Sequence, residues 1–114
     1  MKNNYLDQLT KLLEQARPRL AATHQLEFKK VFGAVAGYVG GNIFISCGKF
    51  GVALRLPPET LESVFKERGV EHLKYFPKGH LKKEYAVLPK QILDNKEQFK
   101  KLLDQSISEA APKK

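Results

Sequence analysis

Glycines divide the segment between residues 26 and 56 into short runs, and this punctuation limits the fold more than any other feature. The runs are rich in Val, Ile, Phe and Tyr, which favour β-strands. Two adjacent glycines, Gly40 and Gly41, supply the positive φ angles that a tight hairpin needs. A second turn is predicted between Gly48 and Gly51. The pattern therefore predicts a meander of four antiparallel strands from Leu26 to Leu56.

The last strand of the meander shows which of its side chains face the core. Val52, Leu54 and Leu56 alternate with Ala53 and Arg55, and successive side chains of a strand point to opposite faces. We expect the first three residues to lie in the core. Because helices are expected on one face only, Ala53 and Arg55 are predicted to face solvent or a partner. Arg55 is therefore a candidate contact residue.

Three segments outside the meander have the spacing of amphipathic helices. The first runs from Asn3 to Ala16 and is stopped by Pro18. The second is opened by Pro58 and is expected to stop at Gly69. The third takes Asp94 as its N-cap and is expected to bury Phe99, Leu102, Leu103 and Ile107.

Composition excludes several classes of protein. A chain with 42% hydrophobic and 28% charged residues has the balance of a globular domain. Its 20 Lys and Arg against 12 Asp and Glu leave a formal net charge of +8. No apolar run has the length of a membrane span, and the first residues lack the apolar core of a secretory signal. We expect a single cytoplasmic domain over residues 1–114, without membrane contact.

The single cysteine, Cys47, limits the chemistry further. One cysteine closes no internal disulfide and supplies no cysteine-based zinc site. Strand alternation places it with Ile43 and Ile45, which predicts a small buried apolar residue. The alternative, a thiolate activated by one of the three histidines, stays open because the sequence does not show which histidine could approach it.

Other catalytic patterns are missing from the sequence. The histidines are far apart and have no metal-ligand spacing, so no metal site is predicted. The segment Gly48–Gly51 contains a lysine between glycines, but it leads into a strand and lacks the hydroxyl of a phosphate-binding loop. Most acidic residues lie beside lysines on helical segments, where solvated charge is the ordinary role. We therefore expect no enzymatic activity and no cofactor.

A basic hairpin is predicted between the second and third helices, with strands from His72 to Tyr75 and from Glu84 to Leu88. Lysines neutralise phosphates and exposed rings stack on bases, so this hairpin is a candidate nucleic-acid contact. The alternative is that the lysines keep a sheet edge soluble while the aromatic rings face the core. The candidate contact residues of the hairpin are Lys74, Tyr75, Lys78, Lys82 and Lys83.

Four short strings, taken in order and spacing, resemble the markers of the TfoX (Sxy) N-terminal domain family. The resemblance covers roughly residues 26–107. It implies a stand-alone N-terminal domain with no defined catalytic residues. The strings are Val31–Gly33 (VFG), Tyr38–Phe44 (YVGGNIF), Leu54–Pro57 (LRLP) and Lys83–Pro89 (KEYAVLP).

The resemblance implies an α+β fold of two layers, in which a single antiparallel sheet is backed by helices, as in secretion-chaperone-like folds. The expected order is α-β-β-β-β-α-β-β-α. Full-length members carry a second, C-terminal domain and regulate natural competence together with a cyclic-AMP-responsive activator. Fold-level likeness alone does not transfer that role to this chain.

These observations favour a non-enzymatic regulatory domain that binds a protein partner or forms a homodimer, with a link to transcriptional regulation. Two alternatives stay open. The first is a nucleic-acid-binding module that uses the basic hairpin, and salt-dependent affinity for DNA or RNA would favour it. The second is a small enzyme or ligand-binding domain, which a deep pocket lined by convergent polar groups would favour.

Overall fold

The computed structural model describes residues 5–23, 25–31, 33–73 and 82–110. These residues form five helices and six strands. In chain order they are α1 (Tyr5–Ala16), α2 (Leu20–Thr23), β1 (Leu26–Val31), β2 (Ala34–Val39), β3 (Asn42–Gly48), β4 (Gly51–Arg55), α3 (Pro58–Val64), β5 (Glu71–Leu73), β6 (Lys82–Leu88), α4 (Lys90–Asp94) and α5 (Lys96–Ala110).

The strands form one six-stranded sheet in the order β1-β2-β3-β4-β6-β5. Every neighbouring pair is antiparallel, so the predicted meander from β1 to β4 is confirmed. The turn between β2 and β3 has φ angles of 57° at Gly40 and 84° at Gly41. Residues that carry a side chain rarely adopt such φ angles, which explains the glycine pair at this turn.

Helices cover one face of the sheet, as expected for a two-layer α+β fold. α1 and α5 pack mainly over β2, β3 and β4. The core between the layers takes side chains from all five helices, and Leu54 and Leu56 of the meander belong to it as predicted. Its largest buried side chains include Phe44, Leu9, Leu20, Ile45, Leu54, Ile92 and Leu103.

A β-bulge in β3 interrupts the simple alternation of faces. Gly37 pairs with Ile45 and the next residue, Tyr38, pairs with Ile43, so Phe44 is an extra residue. As a result Phe44 and Ile45 both join the helix-side core, whereas Ile43 joins a cluster on the opposite face. The prediction that Ile43 shares a face with Cys47 is therefore wrong.

Gly37 provides the space that the bulge needs. A Cβ atom at this position would lie 2.8 Å from Cγ2 of Ile45 and 3.2 Å from the Phe44 ring. Both distances are closer than ordinary van der Waals contact, so any side chain here would push the two core residues apart. A glycine inside a strand thus marks the place where the opposite strand carries its extra residue.

Hydrogen bonds join α5 to β3 at two places, the bulge and the beginning of the strand. The buried Ser106 hydroxyl donates a 2.6 Å hydrogen bond to the Phe44 carbonyl. At the far end of the helix, Asn42 Nδ2 donates a 2.8 Å hydrogen bond to the Ala110 carbonyl. A buried carbonyl that loses its partner is costly, so these bonds fix the helix on the strand.

The last helix begins one residue later than predicted. The Gln98 backbone N–H donates to Asn95 Oδ1 at 3.2 Å, so Asn95 and not Asp94 caps α5. Asp94 is instead the last residue of an additional helix, α4. At the beginning of α4, the Pro89 carbonyl accepts hydrogen bonds from the backbone N–H groups of Ile92 and Leu93. Leu102, predicted to be buried, is half-buried.

The second helix is shorter than predicted. α3 ends at Val64, and beyond it Lys66 and Glu67 donate backbone hydrogen bonds to carbonyls only three residues back. These tighter turns end at Gly69, whose φ is 88°. Gly69 therefore ends the turn segment that follows α3, and the prediction that it ends the α-helix is wrong.

Both strands after α3 differ slightly in extent from the prediction. β5 spans Glu71–Leu73, and β6 begins at Lys82 rather than Glu84. The predicted end of the first strand, at Tyr75, lies outside the described residues.

We predict that Leu54→Ala lowers the free energy of unfolding by about 2 to 5 kcal/mol, because Leu54 is fully buried. Arg55→Ala is expected to cost much less, since this side chain is only half-buried on the opposite face. Urea denaturation of both variants measures the difference. A larger loss for Arg55→Ala would show that the faces of β4 are assigned incorrectly.

Candidate functional site

The sheet face away from the helices, here called the open face, can be followed through strand pairing. One row of paired residues crosses all six strands on this face. Its three central members, from β2, β3 and β4, are small and fully buried. The row consists of Lys29, Ala36, Ser46, Ala53, Val87 and Glu71.

Ala53 is buried, contrary to the prediction that it faces solvent or a partner. Its exposed fraction is 0%. It belongs to a second apolar cluster, which draws no member from the helices and consists of Ala53, Leu73, Tyr85 and Val87 with Ile43 and Phe50 packed against them. Ala53 packs against these larger neighbours, and it is buried although it lies on the face away from the described helices.

Phe50 shows how the open face covers its own small residues. A Cβ atom added at Gly48 would lie 2.9 Å from the Phe50 ring and 2.9 Å from the Ala34 Cβ. The ring therefore folds back from the β3–β4 turn onto the open face, directly over Gly48. It is half-buried, so part of the ring still faces outward.

The open face carries both apolar and charged side chains. Ile43 and Phe50, near the two ends of β3, are half-buried and pack against the second cluster. Charged residues of both signs lie on the same face. We call this surface the open-face patch, consisting of Ile43, Phe50, Glu27, Lys29, Arg55 and Glu71.

One of the predicted contact residues belongs to this patch. Arg55 pairs with Tyr85 across β4 and β6, which places it on the open face. The backbone of Lys82 begins β6, and Lys83 follows it as an exposed residue in the stretch where the pairing of β6 with β5 shifts register. The other candidates, Lys74, Tyr75 and Lys78, lie outside the described residues.

Sequence reasoning missed the other five members of the patch, and three of them show why. Ile43 was placed on the wrong face because the bulge reverses its alternation, although the glycine at position 37 is the kind of signal that marks a bulge. Phe50 was treated as part of a turn. Lys29 lies on the open face, with its Nζ 5.0 Å from the centroid of the Tyr38 ring, in a cation–π contact.

Cys47 lies on the helix side of the sheet, where α1 covers it. The thiol is 1% exposed, and its Sγ donates to Gln8 Oε1 across 3.7 Å. Burial raises the pKa of the Cys47 thiol, because the charged thiolate is disfavoured away from water. The His72 ring packs against the Phe65 ring, with 4.3 Å between the two ring centroids.

Two surface cavities lie between helices. One, of about 250 Å³, separates α1 from α5, and its lining contains no carboxylate, histidine or hydroxyl group. The other, of about 320 Å³, lies between α3 and α5. Side-chain hydrogen bonds cross that groove, from Thr60 to Gln105 and from Gln98 to Glu67. Four polar side chains of this groove thus link α3 and the turn after it to α5.

Within residues 5–23, 25–31, 33–73 and 82–110, no group of three or more His, Cys, Asp or Glu side chains is arranged to hold a metal ion. Among the helices in those ranges, none has the length and apolar character needed to cross a membrane.

We predict slow reaction of Cys47 with a thiol probe in the native protein, because the thiol is buried and its pKa is raised. The rate should keep rising with pH above the range in which a free thiol has already ionised. Labelling followed by mass spectrometry, with the denatured chain as control, tests this. Labelling near neutral pH at the rate of the denatured chain would reopen a catalytic or redox role.

Comparison with known proteins gives one family match. The model of the TfoX N-terminal domain matches residues 19–110, which is most of the 114-residue chain. No curated protein and no solved structure matches the chain. The matched range begins shortly before β1 and ends with α5, so it contains the whole sheet and the helix bonded to its bulge. The chain therefore belongs to the TfoX N-terminal domain family.

Proposed function

We propose that this domain acts without catalysis, by binding a protein partner through its open-face patch. The observation that carries the proposal is the composition of that surface: the half-buried apolar side chains of Ile43 and Phe50 share one sheet face with charged side chains of both signs. Protein interfaces likewise combine apolar and polar contacts.

The charges of the patch favour a protein over a nucleic acid. Glu27 and Glu71 lie on the same face as Lys29 and Arg55, so the patch is of mixed sign. A phosphate backbone would be repelled by the two carboxylates, whereas a protein surface can match both signs.

The aromatic residues of the face also favour a protein. The Tyr85 ring is 8% exposed and packs in the second cluster, so it offers little surface on which a base could stack. The Tyr38 ring is half-buried and carries Lys29 above it. Nucleic-acid binding through the basic hairpin stays the second candidate, because that hairpin holds the lysines that first suggested it.

Family membership extends the proposal to a process. Full-length TfoX proteins regulate competence, and we propose that the partner of this domain belongs to the transcriptional machinery of the cytoplasm.

Affinity capture from the source cell tests the proposed function, with each capture performed with and without nuclease. We expect wild-type protein to retain a set of proteins after nuclease treatment, and Arg55→Glu to reduce that set by about tenfold, because a reversed charge opposes the partner's complementary surface. Lys66→Glu is the matched control, since it makes the same charge change on an exposed turn beyond α3.

Quantitative mass spectrometry of the retained proteins gives the readout, and thermal melts establish that both variants are folded. Equal retention by wild type and Arg55→Glu would contradict binding through the open face. Retention that nuclease abolishes would favour the nucleic-acid alternative instead.

A further inference from the structure

The sheet has two edges, and they differ in how well they could pair with an additional strand. Within the described ranges, β5 is one edge and spans three residues, with a register shift between His72 and Leu73. β1 is the other edge, with six residues in unbroken register against β2. Only an extended, regular edge can template another strand, so β1 is the edge that suits strand addition.

Hydrogen bonding to β2 determines which backbone groups of β1 point outward. The Gly40 N–H donates to the Gln25 carbonyl at 3.1 Å, which places Gln25 at a bonded position of the antiparallel ladder. Bonded positions recur every two residues, so Glu27 and Lys29 also bond to β2. The N–H and C=O groups of the alternate residues, Leu26, Phe28 and Lys30, therefore point away from the sheet.

The helical layer leaves this edge accessible. α1 and α5 pack mainly over β2, β3 and β4. Leu26 and Phe28 are half-buried at the margin of the core, and Lys30 is exposed. A strand lying beside β1 would thus gain both backbone hydrogen bonds and apolar contact with Leu26 and Phe28.

We propose that a second copy of this chain pairs with β1, antiparallel and edge to edge, with the two-fold axis at Phe28. This inference goes beyond the proposed function, because it uses the edge of the sheet and takes a second copy of the chain as the partner. In this register Phe28 of one copy exchanges both backbone hydrogen bonds with Phe28 of the other, and the two sheets become continuous.

Charge complementarity selects this register. With the axis at Phe28, Glu27 of each copy lies opposite Lys29 of the other, and both side chains are on the open face. Moving the two-fold axis to Glu27 or to Lys29 also keeps the faces aligned, but it puts Glu27 opposite Glu27, or Lys29 opposite Lys29. Like charges directly opposite each other destabilise a strand pair. A register shifted by one residue would bring opposite faces together.

In this register the side chains of Glu27 and Lys29 also approach each other closely. These residues occupy a non-hydrogen-bonded pair of the intermolecular ladder, where side chains approach more closely than in a bonded pair. The competing role for Lys29 and Lys30 is to discourage pairing at an exposed edge. The two roles predict opposite effects of charge reversal, which an experiment can separate.

Two charge-reversal variants and their mixture provide the test. Glu27→Lys places two lysines opposite two lysines across the axis, and Lys29→Glu does the same with glutamates. Each variant alone should dimerise about 30-fold more weakly than wild type, because two attractive pairs become repulsive. Mixed in equal amounts, the two variants should form a heterodimer with attractive pairs on both sides of the axis.

Sedimentation equilibrium from micromolar to near-millimolar concentration measures the association. Glu62→Lys and Lys66→Glu make the same charge changes on exposed positions away from β1, and are expected to dimerise as wild type does. Thermal melts show whether each variant is folded. In wild type, amide hydrogen exchange of Leu26, Phe28 and Lys30 should slow as protein concentration rises, since their N–H groups enter the interface.

A wild-type chain that stays monomeric at all concentrations, a dimer unaffected by either reversal, or a mixture that does not associate would each overturn the inference. A monomer that still captures proteins through its open face, in a manner sensitive to Arg55→Glu, would reject the edge pairing and leave the proposed function standing. A dimer with the predicted charge dependence would support the edge pairing even if open-face capture failed.

Discussion

The β-bulge at Phe44 is the constraint on which the two faces of this sheet depend. It directs Phe44 and Ile45 together into the helix-side core and sends Ile43 to the open face. Space for it comes from Gly37, and the bulged carbonyl is satisfied by the Ser106 hydroxyl of α5. Packing, hydrogen bonding and backbone geometry thus agree at one point, which is the condition for a well-defined register.

The two faces and the edge of the sheet therefore offer different surfaces, which is why the proposed function uses a face and the further inference uses an edge. The open face keeps its small residues buried and leaves Ile43 and Phe50 half-buried on a surface that also carries charged side chains. The edge strand β1 lies outside the main helical layer and keeps alternate backbone groups unpaired by β2. A partner on the face and a second copy at the edge would therefore bind different parts of the sheet, which meet at Glu27 and Lys29.

Local patterns in the sequence were sufficient for the meander, its Gly40–Gly41 turn and the buried alternation ending at Leu56. They failed where distant residues decide the outcome. The face of Ile43 depends on a glycine in the neighbouring strand and on a hydroxyl 62 residues after Phe44. Ala53 is buried by side chains that pair with it only in the folded sheet. Arg55 was located as a surface residue because a single regular strand determines its face.

The relative accessibility of positions 43 and 45 tests the central claim, that the bulge divides these two isoleucines between the faces. Cysteine is placed at each position in turn, in a Cys47→Ala background, and labelling by a thiol probe is timed under native conditions. We expect Ile43→Cys to react at least about tenfold faster than Ile45→Cys, because Ile43 is half-buried on the open face and Ile45 is fully buried under the helices. Equal and slow labelling at both positions would contradict the bulge and the surface built on it.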